Sequence, residues 1–165
     1  MILGVDPGFS GGCAILSMGG EIRHAGIMPL VAKVLDFVSV GELIERFQVT
    51  HCFLEKAQAF PKQGVVSSFN YGKHFGHLEA AVAMMKIPYS LVSPSIWTKE
   101  VHEGIDKYLP AKEKSHLAVT RLFPGFDLRK NARCKNPHEG IMDALLIAEY
   151  GRRKLQCKTD ISPTS

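Results

Sequence analysis

Four carboxylates hold the clearest chemical signal in this sequence. Asp6 follows the apolar run ILGV and Glu55 follows HCFL, so two short apolar segments each end in an acid. Apolar strands belong in a core, and an acid at the end of one sits on the rim of the sheet, where ligand sites form in open α/β sheets. Glu139 and Asp143 lie four residues apart before the run ALLIA, which puts both on one face of a C-terminal helix. Like charges at that spacing repel unless a cation lies between them. Oxygen ligands from three distant segments suit hard divalent cations such as Mg²⁺. Two such ions about 4 Å apart can stabilise both the attacking and the leaving oxygen of a phosphodiester. Taken singly, each acid also has a structural reading. A strand-end carboxylate can simply be solvated, and Glu139 can be a first-turn acid favoured by the helix dipole.

The elements that must position these acids can be read along the chain. Residues 1–6, 13–17 and 22–28 are apolar runs separated by the turn-rich PGFSGG and MGGE, a pattern that predicts an antiparallel meander of three strands. Residues 31–47 carry apolar side chains near helical spacing and predict a helix. Residues 49–55 predict a buried strand and 68–86 a helix. Residues 87–92 predict another strand, with a helix start at Ser93-Pro94-Ser95. Residues 111–122 read as a basic amphipathic helix, 126–136 as a polar basic loop, and Pro137 opens a last helix to about Leu155. One domain over residues 1–156 is expected, with a disordered tail over 157–165.

The net charge of +4 conceals an asymmetry. Residues 1–55 carry a net −3, residues 56–135 a net +7, and residues 136–165 balance. The middle of the chain is either a polyanion-binding surface or a set of ordinary solvated helix faces. Arg129, Lys130, Arg133 and Lys135 place four positive charges in seven residues just before the acidic helix, which suits salt-dependent binding to a nucleic-acid backbone. No run of about 18 apolar residues exists, so no membrane span is expected, and the N-terminus lacks the layout of a secretory signal. Cys13, Cys52, Cys134 and Cys157 show no C-x-x-C spacing and read as reduced thiols in a cytosol-like compartment. His-Glu-Gly-Ile occurs at 102–105 and again at 138–141. The first copy has no apolar helix behind it, so Glu103 and Asp106 read as surface charges.

The ordered set Gly4-Val5-Asp6-Pro7-Gly8, Leu54-Glu55 and Asp143-Ala144-Leu145-Leu146-Ile147-Ala148 resembles the RuvC family of Holliday junction resolvases, over roughly residues 1–155. Pro61-Lys62-Gln63-Gly64, Phe69-Asn70-Tyr71-Gly72, Pro94-Ser95-Ile96-Trp97-Thr98-Lys99 and Ala148-Glu149-Tyr150-Gly151 resemble its chloroplast and phage-type branch. The resemblance implies an α/β, ribonuclease H-like fold: a five-stranded mixed sheet, three antiparallel strands then parallel, flanked by helices. It implies a homodimer that nicks opposing strands of a four-way DNA junction symmetrically, leaving 5′-phosphate and 3′-hydroxyl ends. Asp6 would bridge two Mg²⁺ ions, with Mn²⁺ as a substitute. Glu55 would bind one of them, and Glu139 with Asp143 would complete the site. Lys62, Lys99, Lys112 and Lys114 would lie near the scissile phosphate or the junction, and Phe60 would either stack into the opened junction centre or pack on the sheet edge. A branch-migration helicase partner is not specified. One departure is plain: many relatives carry the third acid three residues before the last aspartate, where this chain has Gly140, so Glu139 takes that part. His138 would be a supporting or proton-shuttling group, or a solvated residue at the helix start. His74 and His77 read as packing, interface or DNA-facing residues, and Gly72, Gly76 and Ala80 mark the expected dimer face. The alternatives are a related nuclease acting on branched or fork DNA, and a catalytically silent junction-binding module. Length disfavours an actin-like kinase.

Overall fold

The computed structural model describes residues 1–57 and 64–159. Three antiparallel strands come first: β1 (Ile2–Asp6), β2 (Gly12–Leu16) and β3 (Ile22–Ile27). A short hairpin, β4 (Leu30–Val31) and β5 (Val34–Leu35), leads to α1 (Phe37–Arg46). Then follow β6 (His51–Glu55), α2 (Val65–Met84), β7 (Tyr89–Val92), α3 (Pro94–Val101), α4 (Ala111–Leu122) and α5 (Glu139–Thr159). The main sheet has the order β3-β2-β1-β6-β7, with β1 antiparallel to β2 and parallel to β6, and β6 parallel to β7. This is the mixed five-stranded sheet expected from the sequence.

Alternation along the strands builds two cores. Ile2, Ala14, Leu16 and Phe53 face one side and pack with α3, α4 and α5. Leu3, Val5, Cys13, Ile15, Cys52 and Leu54 face the other side, against α1 and α2. α5 is the central helix, and Ala144 through Ala148 are fully buried against the sheet. All four cysteines are free. Among the described residues no helix is long and apolar enough to cross a membrane.

Two element boundaries differ from the sequence reading. The helix expected over 31–47 begins only at Phe37, because residues 30–35 form the β4–β5 hairpin. Ala32 and Lys33 have φ of +49° and +65°, the left-handed pair that a two-residue hairpin turn demands. Asp36 then caps α1, its carboxylate accepting from Val38 N–H and Ser39 N–H at 3.2 Å each. At the other end, α5 runs beyond Leu155 to Thr159, into the segment expected to be a tail. Residues 160–165, Phe60 and Lys62 lie outside the described residues.

Candidate active site

Asp6 and Glu55 terminate neighbouring parallel strands, in register through the Val5–Leu54 pair. By the two-residue alternation both fall on the sheet face that α5 covers. The approach of α5 to that face is unusually close. A Cβ on Gly4 would lie 2.4 Å from the Ala144 carbonyl oxygen and from the Ala148 nitrogen, so only glycine fits there. At the start of the helix, a Cβ on Gly140 would lie 2.3 Å from the Ser10 carbonyl oxygen. Gly140 therefore seats the first turn of α5 against the loop that follows Asp6. This contact gives the physical reason for the departure noted above: the position three before Asp143 has no room for a side chain, let alone an acidic one. Glu139 stands one residue earlier on the exposed side, and Asp143 lies half-buried one turn on.

The electrostatics show that the acids feel one another. Burial raises the Asp6 carboxyl above its usual range and Glu139 adds repulsion, partly offset by the Gly8 N–H, which donates to Asp6 Oδ1 at 3.2 Å, and by His138 and His74. Glu55 is pushed up to about 7, first by burial and then by Asp6 and Asp143. Asp143 is also pushed up to about 7, by burial, Asp6 and Glu139. Burial, Glu55 and Asp6 drive the Tyr71 phenol up to about 12, which brings α2 to the edge of the cluster. Burial first and neighbouring acids second resist ionisation of Asp6, Glu55 and Asp143, the condition a bound cation relieves.

Neighbouring side chains hold the acids in place. The Trp97 indole N–H donates to Glu55 Oε2 at 2.9 Å. The Ser115 Oγ lies 3.3 Å from His102 Nε2, and Ser115 is near enough to Asp143 to offset part of the rise in its carboxyl. Lys112 pairs with Glu139 at 2.5 Å; both are exposed. Buried His74 donates from Nδ1 to the Pro7 carbonyl at 2.6 Å and stacks on Phe9, so it braces the turn that follows Asp6. His77 lies against Phe37. His138 Nδ1 is buried without a hydrogen-bond partner among the described residues. Trp97 and Tyr71 fall in motifs of the resemblance and His74 reads as a packing residue, but their action on these acids and on the turn after Asp6 is not visible locally, because each partner lies far away along the chain; Ser115 carries no local mark. Glu103 and Asp106 are exposed, as read from the sequence, but His102 is half-buried and turned inward.

The donor set fits a hard divalent cation in chemistry: carboxylate oxygens on rigid elements, with ionisation resisted by mutual repulsion. Among the described residues, no three acidic, histidine or cysteine side chains are drawn into one closed ligand cluster. The acids are convergent rather than pre-formed around a single point.

The basic residues differ in availability. Lys99, Lys130, Arg133 and Lys135 are exposed, and Lys114 is half-buried near His102. Arg129 is tied to Asp127 through two bonds of 2.8 Å, so it is less free than its place in the basic run suggests. Lys130 and His138 line a cavity of about 540 Å³ with Phe9 and Ser10. A second cavity of about 660 Å³ continues past Phe9 to Lys33, Asn70 and Tyr71. On α2, Phe69 is 70% exposed, and nothing lies within 4 Å of where a Cβ would stand on Gly72 or Gly76.

Strand order, the acid-bearing rim and a central C-terminal helix define a ribonuclease H-like fold. No family model and no curated protein sequence matches the chain. Among solved structures, Thermus thermophilus RuvC in complex with a Holliday junction substrate is similar, with a TM-score of 0.68, 17% identity and 96% of each chain covered. A second Thermus thermophilus RuvC structure gives a TM-score of 0.64 at the same identity and coverage. The fold of this chain is the ribonuclease H-like fold of RuvC.

Proposed function

We propose that this protein is a divalent-metal-dependent endonuclease that resolves four-way DNA junctions. The observation that carries the reading is the convergence of Asp6, Glu55, Glu139 and Asp143 at one rim of a RuvC-like sheet, beside a basic loop and basic helices. One of the similar structures is RuvC with a Holliday junction substrate.

In this reading Asp6, Glu55, Glu139 and Asp143 would hold two Mg²⁺ ions, or Mn²⁺ in their place, which would supply Lewis-acid charge at the scissile phosphate. The protein's own part is to fix the acids on rigid elements, through Gly4 and Gly140 beneath α5, and to exclude water with the buried wall of α3 and α5. Lys112, paired with Glu139, would add positive charge at the phosphate, and Lys99 and Lys114 would contact the junction. Lys130, Arg133 and Lys135, with Arg129 more weakly, grip the DNA backbone. Lys62 joins them and Phe60 stacks in the junction centre. The products are ends with 5′-phosphate and 3′-hydroxyl groups. One chain supplies one such cluster, so cutting two opposing strands needs a homodimer, for which the open face of α2 at Phe69, Gly72, Gly76 and Ala80 is suited.

The test is a substrate panel of synthetic four-way junctions, forks and linear duplexes, with Mg²⁺ or EDTA. Mg²⁺-dependent cutting that favours the four-way junction is expected. Preference for forks would move the substrate to branched replication DNA. Binding without any cutting, under conditions where Mg²⁺ binds, would make the protein a junction-binding module.

A further inference from the structure

Glu55 cannot orient itself. It ends a strand, its carboxylate is largely buried, and Asp6 and Asp143 both repel it. What holds it is Trp97, whose indole N–H donates to Oε2 at 2.9 Å. An indole N–H is a donor only, carries no charge and keeps its proton at every working pH. It can therefore fix a carboxylate's direction without neutralising it, as a lysine would, and without switching, as a histidine would. Trp97 is itself immobile: it is 3% exposed and packed in the core cluster that includes Val101, Val119 and Ile141. Its ring meets the edge of His102 at a centroid distance of 6.2 Å, and His102 in turn backs Ser115, which stands beside Asp143.

We propose that Trp97 is a positioning residue that sets the Glu55 carboxylate for metal binding from outside the metal site. This rests on the two-metal reading above. It adds that Trp97, the sole tryptophan of the chain, is a built-in reporter of that site. A cation drawing on Glu55 changes the charge and hydrogen bonding at the indole nitrogen, and so alters its emission.

The experiment uses the full chain and MgCl₂ alone. Isothermal calorimetry measures binding, and tryptophan emission is followed over the same titration. The unmodified protein is expected to show a saturable change in emission with the calorimetric midpoint, and Glu55→Gln to lose that change. Trp97→Phe keeps an aromatic ring but removes the donor; its Mg²⁺ affinity is expected to fall by roughly tenfold or more, with native circular dichroism. Should that variant not fold, the emission of the unmodified protein and of Glu55→Gln still decides, since neither needs a change at Trp97. Calorimetric Mg²⁺ binding with flat emission, or with wild-type affinity in folded Trp97→Phe, overturns the inference alone. No Mg²⁺ binding by the unmodified protein overturns the metal reading and the inference with it.

Discussion

Without metal, the acid cluster must weaken the fold at neutral pH, and Asp6→Asn should relieve it. Glu55 and Asp143 ordinarily ionise near 4.5 and 3.8, and both are pushed up to about 7 in the folded protein. Below about pH 4 the folded and unfolded chains are both protonated there, and no penalty exists. As pH rises towards 7 the unfolded chain gives up these protons first, so stability falls, and it levels off once the folded groups have ionised. Each unit of pKa is worth about 1.4 kcal/mol, so the two raised carboxyls together cost several kcal/mol above pH 7. Burial is the first cause for each acid and Asp6 the second. Removing the Asp6 charge therefore recovers only part, about 1–2 kcal/mol. The asparagine amide keeps an oxygen to accept the Gly8 N–H. For a domain of this size that raises the melting temperature by roughly 2–8 °C. Scanning calorimetry in EDTA at about pH 8 should show Asp6→Asn melting above the unmodified protein, and at about pH 5 the gap should nearly close. Mg²⁺ should raise the melting point of the unmodified protein and barely move the variant. Equal melting at both pH values, or a wild type whose stability does not fall as pH rises, would refute the reasoning.

Three further outcomes follow from the geometry. Gly140→Ala forces a methyl group to within 2.3 Å of the Ser10 carbonyl oxygen. Urea unfolding should show a loss of about 1–3 kcal/mol, and Gly140→Asp should not restore cutting to Glu139→Gln. Lys112→Ala breaks an exposed ion pair and should change stability by less than about 1 kcal/mol, while weakening junction binding in low-salt gel shifts. Arg133→Ala with Lys135→Ala should reduce the slope of log affinity against log salt by about 2 units, whatever the junction sequence.

Much of this arrangement is legible in the linear chain, and the reason lies in its periodicity. Strands that end in Asp6 and Glu55, and acids four apart on a helix followed by ALLIA, announce themselves through local pattern. The meander, the Ser93–Pro94 helix start and the helix at 111–122 are marked by turn residues and spacing in the same way. The hairpin at 30–35 is not, because Val31, Val34 and Leu35 mimic helical spacing and the turn uses Ala32-Lys33 in place of a glycine-bearing pair. The partners of the acids are also hidden. Trp97 lies 42 residues from Glu55 and looks like any core aromatic until the sheet and α3 are folded together. Gly140 reads as a missing acid in the sequence and as a required contact in three dimensions. Arg129 reads as a DNA contact but commits its guanidinium to Asp127.

The most direct test of the central claim is strand-by-strand mapping of cuts. Four-way junctions labelled in turn on each strand are incubated with Mg²⁺ and with the unmodified protein or Asp6→Asn. The unmodified protein is expected to make paired nicks at symmetric positions on opposing strands, and Asp6→Asn none, even though it still shifts the junction in a gel. Nicks by Asp6→Asn at the wild-type rate, or cutting by the unmodified protein that persists undiminished in EDTA, would contradict it.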